Sequence, residues 1–178
     1  MNEEETNMKR HGFLIQKIIE CSNMHRAFDE VVDQLKEPRR AYYRKRRESL
    51  IQRLTDKIGN GSFRVRGYRE MLVTDGPKVR LVQSPCVEHR IGCNAIMRVV
   101  EDVIYPSVIK TSAASIPGRG MHRLFAKMRS DIERNPEETR YFYKCDIRKF
   151  FESIDQDKMW DCVRRFIKDP VLLPMLHD

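Results

Sequence analysis

The stretch from Tyr141 to Asp155, YFYKCDIRKFFESID, gathers the residue types best suited to chemistry. Strand periodicity over Tyr141–Asp146 puts Phe142, Lys144 and Asp146 on one face, so Asp146 falls at the exposed strand end, just before a turn. A carboxylate there can hold a hard divalent cation, and the carbonyl of Ile147 can supply a further oxygen. The turn over Arg148–Phe151 aims successive backbone N–H groups at the same spot, a cradle for phosphate oxygens. Arg148 and Lys149 add positive charge to it. The plainer reading is a solvated Asp closing a strand, and a single carboxylate leaves both readings open.

A second group of residues is suited to binding rather than catalysis. Between Lys36 and Arg53 stand Lys36, Arg39, Arg40, Arg44, Lys45, Arg46, Arg47 and Arg53 against only Glu37 and Glu48, with Tyr42 and Tyr43 inside the run. Clustered cations each neutralise a phosphate and release condensed counterions, so such a segment binds nucleic acid without reading its sequence. A solvated helix face is the bland alternative. The chain as a whole favours nucleic acid: 34 Lys+Arg against 26 Asp+Glu give a net charge of +8 and a pI near 9.4.

The elements that must position these residues follow from periodicity and punctuation. Apolar residues from Gly12 to Leu35 recur at helical spacing until Pro38, and a second helix is expected from Arg39 to Ile58, stopped by Gly59-Asn60-Gly61. Arg64–Thr74 and Lys78–Ser84, separated by Asp75-Gly76-Pro77, read as a hairpin with cations on both arms. A helix over Val87–Ile104, a Pro/Gly loop over Thr111–Gly120, a helix to Arg134 and a short strand over Tyr141–Asp146 come next. Asp155 stands where an N-cap would begin a last helix, which Pro170 ends. The expected fold is α+β.

Composition narrows the class. At 178 residues and 40% hydrophobic the chain can bury a core, and 34% charged residues are too many for a membrane protein. Val103–Ser115 is interrupted by Pro106 and Lys110, so no transmembrane helix is expected, and Glu3, Glu4 and Glu5 are wrong for a secretory leader. Five cysteines without a CxxC pair fit reduced thiols in a cytoplasmic protein better than disulfides or a zinc site.

The string DIRKFFESID (146–155) resembles the first palm motif of bacterial reverse transcriptases, the kind found in group II introns, retrons and diversity-generating elements. Three further strings agree in order and spacing. GPKVRLVQSP (76–85) resembles the fingers hairpin K-x-R-x-(L/I)-x-x-P, VEHRIGCNA (87–95) the helix after it, and SAASIPGRG (112–120) the template-side loop, with Ala113 and Ile116 where an aromatic and an Arg are common. The resemblance covers roughly Tyr68 to Pro170. It implies a basic helical extension over 1–61, a fingers subdomain over 62–140 and the start of a palm over 141–178.

The resemblance also implies roles. Asp146 and the Ile147 carbonyl would be ligands in a site for two Mg²⁺ ions. Lys78 and Arg80, two apart on a strand, would grip the phosphates of an incoming deoxynucleoside triphosphate, with Lys149, Phe150 and Phe151 on the same nucleotide. Phe151 takes the position of the gate that rejects a ribose 2′-hydroxyl, whereas neighbouring Phe150 reads as a core aromatic. Arg119 and Gly120 would contact the RNA template, and Arg39, Arg40, Arg44, Lys45, Arg46 and Arg47 would add RNA contacts. The family's aromatic-x-Asp-Asp turn does not occur here. The expectation is therefore the fingers and first palm segment of an RNA-directed DNA polymerase acting on an RNA template and DNA primer, inactive by itself. The alternatives are a non-catalytic RNA-binding module, another palm polymerase, which Phe151 argues against, and a helical domain without a ligand.

Overall fold

The computed structural model describes residues 10–177. Glu3–Glu5 lie outside them. Backbone contacts divide the chain into two units, one running to Val103 and resuming at Trp160, the other spanning Ile104–Met159. This division by packing cuts across 1–61, 62–140 and 141–178, which follow motifs.

The first unit is built on amphipathic helices. Helix α1 (Leu14–Ile18) buries Leu14, Ile15 and Ile18; α2 (Cys21–Val32) buries Met24, Ala27, Phe28, Val31 and Val32. That second set follows the i, i+3, i+4, i+7, i+8 stripe of one helix face. Helix α4 (Arg47–Gly59) adds Leu50, Ile51, Leu54 and Ile58, and α5 (Val87–Ile104) adds Val87, Ile91, Ala95, Ile96 and Val100. Between α2 and α4, α3 (Arg39–Arg44) buries nothing.

The single helix expected over 12–35 is broken at Ile19-Glu20, where Glu20 turns extended at ψ 134°. A side chain holds the kink: the Asn23 amide donates to the carbonyl of Ile18 at 2.8 Å and to that of Ala95 at 3.0 Å. The α1 C-terminus thereby finds a partner that a continuous helix would have supplied from its own backbone. The helix expected over 39–58 also breaks, at Lys45-Arg46. Four consecutive cations, Arg44 to Arg47, repel one another within a turn, and the break lets Arg44 reach Asp33 while Arg47 reaches Asp29, both at 2.8 Å.

Strands β1 (Tyr68–Asp75) and β2 (Lys78–Pro85) form an antiparallel hairpin in the register Asp75↔Lys78, Val73↔Arg80, Met71↔Val82. Gly76 supplies the positive φ, 58°, that a two-residue II′-type turn requires at its first central position. Both faces of the arm are open: Tyr68, Leu72, Val79 and Leu81 on one, Met71, Val73 and Val82 on the other are all exposed. Behind the hairpin, the Phe63 ring lies against Gly92 of α5, where an added Cβ would meet ring carbons at 2.4 and 2.5 Å. Helix propensity favours alanine by about 1 kcal/mol, but overpacking costs about 1–3 kcal/mol, and this contact is at the severe end. Gly92→Ala is expected to lower stability by a net ~1–2 kcal/mol in urea unfolding; an unchanged midpoint would show that Phe63 yields freely.

The C-terminal segment closes the first unit. After α7 (Gln156–Phe166), His11 and Ile167 form a parallel bridge, with the His11 N–H donating to Phe166 at 2.7 Å and the Lys168 N–H to His11 at 2.8 Å. Asp169 then opens a short helix, α8 (Leu172–His177). The Lys158 N–H donates to the Asp155 carboxylate at 3.1 Å, the N-cap bond anticipated for α7.

The second unit has a different character. It contains α6 (Met121–Arg134) and a 3-10 turn at Phe150–Ser153, and no residue from Ile104 to Met159 is buried. Met121, Phe125, Met128 and Ile132 run as an exposed stripe along α6. The strand expected over Tyr141–Asp146 is not formed: the segment pairs with no other strand, and Tyr141, Phe142 and Tyr143 are 84, 91 and 90% exposed. Its β-type composition is real, but a strand is stabilised by ladder bonds and cross-strand packing, and neither is supplied here. The fold of the described residues is thus α+β, with one two-stranded sheet, and the first palm strand is a correction. No helix among the described residues is long and apolar enough to cross a membrane.

Candidate nucleotide and nucleic-acid site

The expected site residues fall in both units. On the hairpin, Lys78 and Arg80 alternate with Val79 and share the face that carries Val73 and Val82. Both side chains are exposed. The II′ turn places them within three residues of the arm's tip.

In the second unit Asp146 and Ile147 are exposed, in an extended segment leading into the turn. Lys149 adopts the left-handed conformation, φ 52° and ψ 48°, which reverses the chain and starts the 3-10 turn, closed by Ser153 N–H to Lys149 carbonyl at 3.0 Å. The Lys149 ammonium is engaged by Glu152 at 2.7 Å. Phe151 is 85% exposed, and Phe150, expected in a core, is exposed as well. The two rings meet edge to face at 5.4 Å. With no buried residue in this unit there is no interior for Phe150 to enter, which is the physical reason for that correction.

The donor set around Asp146 does not fit two magnesium ions. Among the described residues no group of three or more His, Cys, Asp or Glu side chains could hold a metal. The neighbouring acids have other work: Glu152 pairs with Lys149, and Asp155 caps α7 and lies 3.5 Å from Lys158. One carboxylate and a carbonyl supply too few hard oxygens for a dinuclear site.

The basic run is partly spent on its own fold. Arg40 pairs with Glu37 at 2.9 Å, Arg44 with Asp33, and Arg47 with Asp29 while its Nε donates to His25 Nδ1 at 3.0 Å. The hydrogen bond from Arg40, then that from the Ala41 N–H, hold the Glu37 carboxyl below its usual pKa, and the bond to Asp33 raises Arg44 above its own. Arg46 lies over the Tyr42 ring, 3.8 Å from its centroid, a stacked position that leaves its charge uncompensated. Arg39 and Lys45 have no acidic partner among the described residues. Lys36 is likewise exposed and without an acidic partner among the described residues, so Lys36, Arg39, Lys45 and Arg46 are the members of this run best able to meet a phosphate.

Arg119 and Gly120 occupy the loop before α6. The Arg119 guanidinium donates to the carbonyls of Val108 and Ile109 at 3.2 and 3.0 Å, tying the Pro-Gly loop to the segment that precedes it. Motif reasoning assigned this Arg to a template strand, whereas here it first holds its own loop. What it missed is the company Arg119 keeps: Lys110, Arg123 and Lys127 surround the same cavity. Arg123 and Lys127 are one helical turn apart, a signal the spacing carries.

No protein-family model matches the chain, and a search of curated proteins returns no match either.

Proposed function

We propose that the chain supplies the fingers and first palm segment of an RNA-directed DNA polymerase, which joins deoxynucleotides to a DNA primer on an RNA template. The observation that carries this reading is the hairpin: an arm open on both faces, with Lys78 and Arg80 on one side near its tip. An arm that covers no core yet carries Lys78 and Arg80 near its tip is suited to binding, and Arg's fork beside a Lys suits the phosphates of a triphosphate. Asp146 and Phe151 are both exposed, which suits a site that a nucleotide enters. The work of the hairpin under this reading is to bind and orient: its cations hold the triphosphate. The remaining carboxylates would have to come from a further palm segment, so the chain by itself is inactive under this reading.

Primer extension tests it, using a polypeptide that joins this chain to a palm segment bearing an aromatic-x-Asp-Asp turn. Incorporation of deoxynucleotides on an RNA template is expected, with the KM for the triphosphate raised about tenfold by Lys78→Ala plus Arg80→Ala, as lost charge-assisted contacts predict. An unchanged KM would reject the hairpin's role. Absence of any extension would favour the second reading, a non-catalytic RNA-binding module, for which the solitary Asp146 carboxylate speaks.

A further inference from the structure

The second unit contains a cavity of about 200 Å³ between the 110–113 segment and the first turns of α6. Lys110, Arg119, Arg123 and Lys127 line it, together with Thr111, Ser112 and the apolar Ala113 and Leu124, and no carboxylate does. Four cations around one small cavity repel one another, and only Arg119 and Lys127 have a structural use for their charge. Their local neutralisation is incomplete. Lys127 is paired with Asp131 at 2.7 Å, but Arg119 meets only neutral carbonyls, and Lys110 and Arg123 have no acidic partner among the described residues. The N-terminus of α6 opens beside them without a side-chain cap, so its dipole adds to the same positive field.

We infer that this cavity binds a phosphate group, with Lys110 and Arg123 as its principal charged ligands and Thr111 and Ser112 as hydroxyl donors. Arg119 is a positioning residue: its two bonds to Val108 and Ile109 hold the 110–113 segment against α6. The phosphate has two chemical sources, the backbone of a single-stranded RNA or the terminal phosphates of a free nucleotide. The inference rests on the nucleic-acid side of the proposed function but needs neither Asp146 nor the hairpin.

The test uses the whole chain without divalent metal, probed with a labelled oligouridylate by fluorescence anisotropy and with inorganic tripolyphosphate by calorimetry. Lys110→Ala plus Arg123→Ala is expected to weaken one of the two probes by at least about tenfold. If RNA is the ligand, the salt dependence of binding falls by ~1.4, about 0.7 for each phosphate contact on a single strand. The variant pair Arg129→Ala plus Lys158→Ala removes the same charge outside the cavity and is expected to leave both probes nearly unchanged. Loss confined to RNA assigns the strand backbone, and loss confined to tripolyphosphate assigns a free nucleotide. Unaltered binding of both probes, or equal weakening by the outside pair, would overturn the cavity while leaving the nucleic-acid reading in place. A wild-type chain that binds neither probe would overturn the two together.

Discussion

Replacing Asp169 with alanine is expected to destabilise the first unit by about 3 kcal/mol, the largest effect of any single side chain considered. This buried carboxylate caps two helices at once. Its Oδ2 accepts the N–H groups of Leu14 at 2.7 Å and Ile15 at 3.3 Å, and its Oδ1 accepts those of Val171 and Leu172, both at 3.0 Å. Leu14 and Asp169 are 155 residues apart in sequence. Loss of one N-cap costs about 1 kcal/mol, and buried donors left unsatisfied cost about 1–3 kcal/mol more. The acid also sits between Ile167 and Leu172, both fully buried, so its loss loosens the segment that closes the core. Asp169→Asn keeps one acceptor oxygen and is expected to lose about half as much, since a single helix keeps its cap. Urea unfolding followed by circular dichroism reads both variants. An alanine variant within about 0.5 kcal/mol of wild type would mean that water replaces the carboxylate at both ends.

Asp169 also shows what a linear reading cannot see. Asp169-Pro170 followed by Val171, Leu172 and Leu173 has the form of an N-cap with proline at the first helical position, a local signal for α8 that the expectation of a terminating Pro170 passed over. Its second role, capping α1, depends on contacts made only after folding. The basic run is a similar case: eight cations against two acids is true of the segment, but Asp29 on α2 and Asp33 just after it restore much of the balance. Legible from the start were elements with strong local determinants, namely the buried stripes of α2, α4 and α5 and the Gly76-Pro77 hairpin. The kinks at Ile19-Glu20 and Lys45-Arg46 were hidden because no helix breaker stands at either. Tyr141–Asp146 failed in the opposite direction, since its strand character is sound but a ladder needs a second strand. Within the candidate site, residue types and spacings showed the cations and Asp146, whereas the cavity beside Arg119 required the loop to be folded.

Phe151→Ala is expected to relax sugar discrimination by about 10- to 100-fold in the joined polymerase described above, the range over which a pocket rejects or admits one extra small group. The argument starts from exposure. A side chain 85% open to solvent contributes little to the fold, and truncating it should shift stability by no more than ~0.5 kcal/mol. The ring meets Phe150 edge to face at 5.4 Å, and the left-handed Lys149 sets the turn that presents it. An apolar ring in that position has nowhere to place a 2′-hydroxyl, whose lost hydrogen bonds to water would go unreplaced. With alanine there, the hydroxyl keeps a water and the ribonucleotide is admitted. The measurement is the ratio of kcat/KM for a deoxynucleotide to that for its ribonucleotide, in wild type and variant. A fall in the ratio through a gain with the ribonucleotide supports the gate, because simple loss of packing would lower both rates together. A ratio unchanged within threefold would remove Phe151 from the nucleotide site and leave the ring as Phe150's neighbour alone.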